Sequence, residues 1–192
     1  MELETARNLL AFPLQDEGAE LSRRMFLFSV FTGLAFVDLQ ELRASQIETN
    51  SEEKRYIRKA RQKTEVESLI PLHPIAEQIL ALYTKAKSRG DYKIFPDIMS
   101  DWKLLRHLQA VGLACGIRTP LTWHCARHTF GTLTLEAGVP IESIAKMMGH
   151  SSIVSTQIYA QVTDQKIAKD MDRLTKNSSQ RLPLSHKKDR HR

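Results

Sequence analysis

"MGHSSIVSTQIYAQV", residues 148–162, places His150 and Tyr159 on either side of a broken helix. Gly149 is suited to end the first helix in the left-handed conformation, which leaves His150 exposed at the break. Ser151 or Ser152 can start the next helix, which carries Tyr159 back toward the same place. Two readings are open. In one, the tyrosine packs in the core of a helix–turn–helix unit. In the other, it is a nucleophile and the histidine is its electrostatic partner. The choice turns on what the rest of the chain can bring to that place.

The densest set of reactive side chains lies just upstream, in "WHCARHTFGTLTLEAGVP", residues 123–140. His124 and Arg127 stand at i and i+3, so on a helix they share a face one turn apart. Two potentially cationic groups repel unless an anion sits between them. Phosphate is the natural guest, because an arginine fork bonds two of its oxygens. The alternative is a surface arginine beside a capping histidine. His124 and His128 also have the i, i+4 spacing of a metal-binding helix. However, Cys125 stands where the H-E-x-x-H pattern needs its glutamate, and no convincing third ligand follows. Neither a carboxylate cluster for two metals nor a phosphate-cradling Gly-rich loop is evident, so no metal and no small-molecule cofactor are expected.

Composition narrows the field. The chain has 192 residues, 42% hydrophobic and 26% charged, which fits one soluble globular domain with a substantial core. Its longest uncharged apolar run, residues 25–37, is 13 residues, well short of the ~20 that a membrane span needs. Glu2, Glu4, Arg7, Asp16, Glu17 and Glu20 leave no readable secretory signal. Cys115 and Cys125 make no disulfide framework, so a reducing cytoplasm is the default. The net charge of +6 hints at nucleic acid, but five of those charges lie in residues 176–192, which read as a basic disordered tail. Within the globular part, Lys54, Arg55, Arg58, Lys59, Arg61 and Lys63 form the one dense basic segment.

Apolar spacing predicts helices over 2–12, 18–33, 37–45, 75–88, 100–115, 124–137, 140–148 and 161–174, with a short unit at Ser151. Between them, "RYIRKARQKTEVESLIPL" (55–72) mixes β-branched and basic residues around a turn at 62–65. It reads as a hairpin that follows a short strand near Ile47. The expected fold class is mainly α with a small antiparallel β-sheet (α+β).

Taken in order, the chain offers a basic hairpin with Lys63, then His124-x-x-Arg127, then Gly149-His150, then Tyr159. This resembles the tyrosine recombinase (phage integrase) family. The matching segments are "FLFSVFTGLAFVDLQEL" (26–42), "RQKTEVESLIPL" (61–72), "HCARHTFGTLTLEAGVPIESIAKMMGHSS" (124–152) and "TQIYAQV" (156–162). The resemblance implies a catalytic domain over 1–175, with the family's preceding core-binding domain absent. It implies a site-specific recombinase or integrase, of a mobile genetic element, that cuts and rejoins double-stranded DNA. Tyr159 would attack a phosphodiester to give a 3′-phosphotyrosine without metal or ATP. Arg127 and His150 would stabilise the transition state, His124 would assist proton transfer at the tyrosine, and Lys63 would protonate the leaving oxygen. The implied partners are DNA and further copies of the chain, forming a tetramer on DNA through the helix at 161–174.

One position departs from the pattern. The family usually has an arginine directly after "TGL", and here Thr32-Gly33-Leu34 is followed by Ala35, although the supporting Asp38 remains. Arg61, two residues before Lys63, is the candidate phosphate-binding substitute, since i and i+2 of a strand face the same way. Two rival readings follow: a helix–turn–helix DNA-binding regulator reading DNA with residues 136–152, and a catalytically impaired recombinase fold.

Overall fold

In the computed structural model, which describes residues 3–84, 90–159, 171–172 and 175, helix α2 (Glu17–Thr32) is the element around which the others gather. Asp16 caps it, accepting the Ala19 N–H at 2.7 Å, and Glu17 and Glu20 sit in the first turn where the helix dipole favours acids. Twelve of its sixteen residues are buried, so α2 is a central helix and not a one-sided one. The hydroxyls that this burial traps are satisfied within reach: Ser22 donates to Gly18 O, Thr32 to Phe28 O and Ser29 to Leu34 O.

Helices α1 (Leu3–Ala11), α3 (Phe36–Gln40), α4 (Pro74–Thr84), α5 (Asp101–Ala114) and α6 (Trp123–Glu136) all pack on α2. Then come α7 (Ile141–Met147) and the single-turn α8 (Val154–Gln157). The helix expected over 37–45 stops at Gln40, and a separate 3₁₀ turn covers Ala44–Gln46. No helix among the described residues is long and apolar enough to cross a membrane.

Strands β1 (Ile47–Thr49), β2 (Arg55–Ala60) and β3 (Glu67–Pro71) form an antiparallel sheet in the order β1-β2-β3. Ile57 pairs with Ile47 on one side and Ile70 on the other, and Ile57 and Ile70 are fully buried. On the exposed face Arg58 bridges Glu48 and Glu67, each at 2.9 Å. Arg55 pairs with Glu77 and Lys54 with Glu52. Much of the basic segment read from the sequence is therefore neutralised by its own sheet and by α4.

The chain divides into two units, Met1–Ala160 and Gln161–Arg192. Of the second only Met171, Asp172 and Thr175 are described, all helical. The rest of the helix expected over 161–174 and the tail over 176–192 lie outside the described residues.

The turn after α2 depends on Gly33. Its φ of 71° is left-handed, its N–H donates to Ser29 O at 2.8 Å, and a Cβ on it would collide with the Phe130 ring. Gly33→Ala should lower the unfolding free energy by about 2–4 kcal/mol, the sum of left-handed strain and overpacking. Urea denaturation measures it, and a loss below about 0.5 kcal/mol would show that the ring moves aside freely.

Candidate active site

Thr122 starts α6, its hydroxyl accepting the Cys125 N–H at 3.2 Å. That start leaves His124 exposed in the first turn and turns Arg127, one turn on, inward. Arg127 is only 6% exposed, which rules out the surface-arginine alternative. One terminal nitrogen donates to Gly33 O and the other to Met148 O. Burial, and then the repulsion of Arg61, push its pKa down to about 10, so it stays cationic at neutral pH.

The break between α7 and α8 takes the form that glycine permits. Gly149, at φ 60°, donates its N–H to Lys146 O at 3.2 Å, and His150 donates its own to Ala145 O at 3.0 Å. This pair of bonds is the Schellman arrangement, with Gly149 just past the helix end. The His150 ring Nδ1 lies 2.8 Å from the hydroxyl of the fully buried Thr156. Burial, and then the charges of Arg127 and Arg61, push the His150 pKa down to about 4. The imidazole is thus neutral at pH 7. In the tautomer whose Nδ1 accepts from the Thr156 hydroxyl, Nε2–H is left as a donor.

Tyr159 follows α8 in a turn, its N–H donating to Thr156 O at 3.1 Å. The ring is 7% exposed and joins Phe130, Ile144 and Met148 in a small apolar cluster. His128 meets it edge-on at 5.0 Å, and Gly131 leaves room for it, since a Cβ there would stand 2.7 Å from the ring. Tyr159 is therefore a packed aromatic and, as shown below, also a wall of the cleft. Burial raises its phenol pKa, and Arg127 and Arg61 pull the other way.

The β2–β3 turn supplies the remaining cations. Arg61 N–H bonds Val66 O at 2.9 Å, and the N–H groups of Thr64 and Glu65 return to Arg61 O. β2 ends at Ala60, so Arg61 and Lys63 belong to the turn and strand alternation does not align them. Two tethers fix the turn instead. Gln62 N–H donates to the buried Asp38 carboxylate at 2.9 Å, and the Thr64 hydroxyl donates to Gly149 O at 2.8 Å.

A cleft of about 480 Å³ is the result, and Arg61, Lys63, His124, Arg127, His150 and Tyr159 all line it. All six residues singled out in the sequence meet there. Ala35 lines it too, presenting a methyl group. Sequence reasoning missed Thr64 and Trp123. Trp123 stacks on Phe36 at 4.3 Å, and its Nε1 is buried without a partner among the described residues. The one available signal was an aromatic directly before His124, but its partner lies far away in the sequence.

A mainly helical domain with this small antiparallel sheet has known counterparts. The phage integrase family is matched over residues 1–166, and the chain belongs to that family. It is 32% identical over 114 residues to tyrosine recombinase XerD of Listeria monocytogenes, covering 53% of this chain and 38% of that one. To tyrosine recombinase XerC of Histophilus somni it is 24% identical over 180 residues, covering 90% and 60%. The XerH site-specific recombinase bound to its difH substrate shares the fold, with a TM-score of 0.69, 15% identity and coverage of 89% and 53%. The chain thus spans between about a third and two thirds of the length of these proteins.

The His150 environment makes a testable statement about acid. Between pH 6.5 and about 4 the unfolded chain binds a proton at His150 that the folded chain refuses. This group therefore withdraws stability as pH falls through that window. Ring NMR of the folded protein should show a His150 midpoint near 4. A midpoint at or above 6.5 would refute the account of burial beside two arginines.

Proposed function

We propose that this chain carries the catalytic domain of a tyrosine-type site-specific DNA recombinase, with Tyr159 as the nucleophile. The observation that carries this is the meeting of Tyr159, Arg127, His150, His124 and Lys63 in one cleft, drawn from four separate stretches of sequence. A transposon integrase of the same fold is held in complex with a circular intermediate DNA, which supports DNA as the partner.

In the proposed reaction the Tyr159 oxygen attacks a DNA phosphorus and the bond to the 5′-oxygen breaks. The phenol proton passes to His124, and Lys63 gives a proton to the departing oxygen. The phosphotyrosine keeps the energy of the broken link, so a 5′-hydroxyl can later attack it and rejoin a strand without ATP or a metal. Each terminal nitrogen of Arg127 has a second N–H beyond the one given to a carbonyl, and these serve the nonbridging oxygens. His150 adds a neutral donor. Burial raises the Tyr159 pKa, so a base at the phenol is needed, a contribution worth roughly 10²–10⁴-fold. The segment 161–174 would join neighbouring copies on DNA, an assignment that rests on the family resemblance alone.

Tyr159→Phe keeps the buried ring and removes only the attacking oxygen. Wild-type protein incubated with a pool of nicked duplexes, randomised around the nick, should give a covalent protein–DNA band that survives detergent. Tyr159→Phe should give none while its non-covalent DNA affinity stays nearly unchanged. Adducts persisting in the variant would overturn the assignment. Binding without any adduct in the wild type would favour a DNA-binding regulator.

A further inference from the structure

The Arg61 side chain is unmatched among the described residues. Among the described residues it has no ion-pair partner, and its Nε is buried without a hydrogen bond. The other arginines of the hairpin are occupied, Arg55 with Glu77 and Arg58 with Glu48 and Glu67. The nearby carboxylate of Asp38 accepts the Gln62 N–H. An unmatched buried donor is costly, and so is a pair of like charges that no anion separates. Both costs fall at one place. Arg61 lines the cleft, and its charge depresses the pKa values of Arg127 and His150.

The root of this side chain is fixed. The Arg61 N–H and carbonyl both close the turn, and its Cβ lies so near the Gly149 break that a methyl on Gly149 would stand 3.0 Å from it. The guanidinium therefore starts beside His150 and faces a cleft whose other border, Ala35, offers no charge. Lys63 is exposed at the same turn and presents a point charge, whereas Arg61 presents a fork that matches two oxygens of one phosphate.

We propose that Arg61 is the second guanidinium of the phosphate site, bonding nonbridging oxygens together with Arg127 across the gap that Ala35 leaves uncharged. The inference rests on the phosphodiester reading of the cleft given above, and it has a test that needs no DNA. Inorganic phosphate is titrated into the protein while the arginine side-chain N–H resonances are followed by NMR. Wild type should bind saturably. Arg61→Ala should bind at least about tenfold more weakly with its circular dichroism unchanged. Arg61→Lys, which keeps the charge without the fork, should fall between. Arg58→Ala, on the outer face of the sheet, should bind as wild type does. Ala35→Arg in the Arg61→Ala background should restore affinity. Absence of saturable binding in wild type, or an affinity in Arg61→Ala within twofold of wild type, would overturn the proposal.

A second arm uses the nicked-duplex pool. Arg61→Ala should slow adduct formation about tenfold or more even at saturating DNA. Full recovery at saturation would overturn the proposal, because the residue would then only hold a neighbouring phosphate. The arms separate the two readings. Phosphate binding that depends on Arg61, without a wild-type adduct, supports the anion site and removes the recombinase reading. A Tyr159 adduct formed at full rate by Arg61→Ala removes this inference and keeps that reading.

Discussion

The guanidinium of Arg127 sits between two backbone carbonyls that belong to different breaks in the chain. Gly33 O follows the end of α2, and Met148 O closes α7. Carbonyls at helix C-termini lack partners within the helix and carry the negative end of its dipole. Two such ends converge on one cation. This explains how an arginine lies buried in the fold without a carboxylate partner among the described residues. It also explains why the cleft exists at all, since the turn that ends in Ala35 and the turn that presents His150 are held to one point on α6. Removing this side chain would strip two buried carbonyls of their donors and release both walls at once, so the residue is structural before any chemistry begins.

The hairpin is joined to that frame by separate bonds. Asp38 holds Gln62, and Thr64 holds Gly149, so the turn carrying Arg61 and Lys63 is tied to α3 and to the helix break behind His150. Three of the segment's other cations, Lys54, Arg55 and Arg58, pair with Glu52, with Glu77, and with Glu48 and Glu67. A basic stretch that looks like a diffuse nucleic-acid surface in the sequence becomes a sheet in which Lys54, Arg55 and Arg58 are paired, with Arg61 and Lys63 at one tip.

Most of the described helices and the hairpin were legible in the sequence, because they depend on local rules of apolar period and turn chemistry. The six candidate residues were grouped instead by the order of motifs that resemble the family, and the structure brings them to one cleft. Less was legible where tertiary contacts decide. The helix expected over 37–45 breaks after Gln40 because Leu42 is drawn into the core, and its carbonyl pairs with Ile94. Strand alternation was the wrong reason for grouping Arg61 with Lys63, since the turn begins one residue earlier than the pattern implied. The pair of roles open to Tyr159 could not be separated by sequence because they are not exclusive. Its ring belongs to an apolar cluster while it borders the cleft. The stacking of Trp123 on Phe36 joins positions 87 apart, which no local pattern announces.

The electrostatics of the cleft bear on how the proposed chemistry must run. Burial lowers Arg127 and His150 there and raises Tyr159. The two arginines favour a phenolate at Tyr159, but they do so with a field that a bound phosphodiester would largely absorb. An anion in the site would offset the mutual repulsion of the cations, while taking from the phenol the very charges that would ionise it. A preformed phenolate is thus least favoured when substrate is in place. Under the proposed reading the phenol proton must leave during the attack, toward an acceptor at the cleft. The exposed His124, one turn from Arg127 at the cleft's edge, is placed for that transfer.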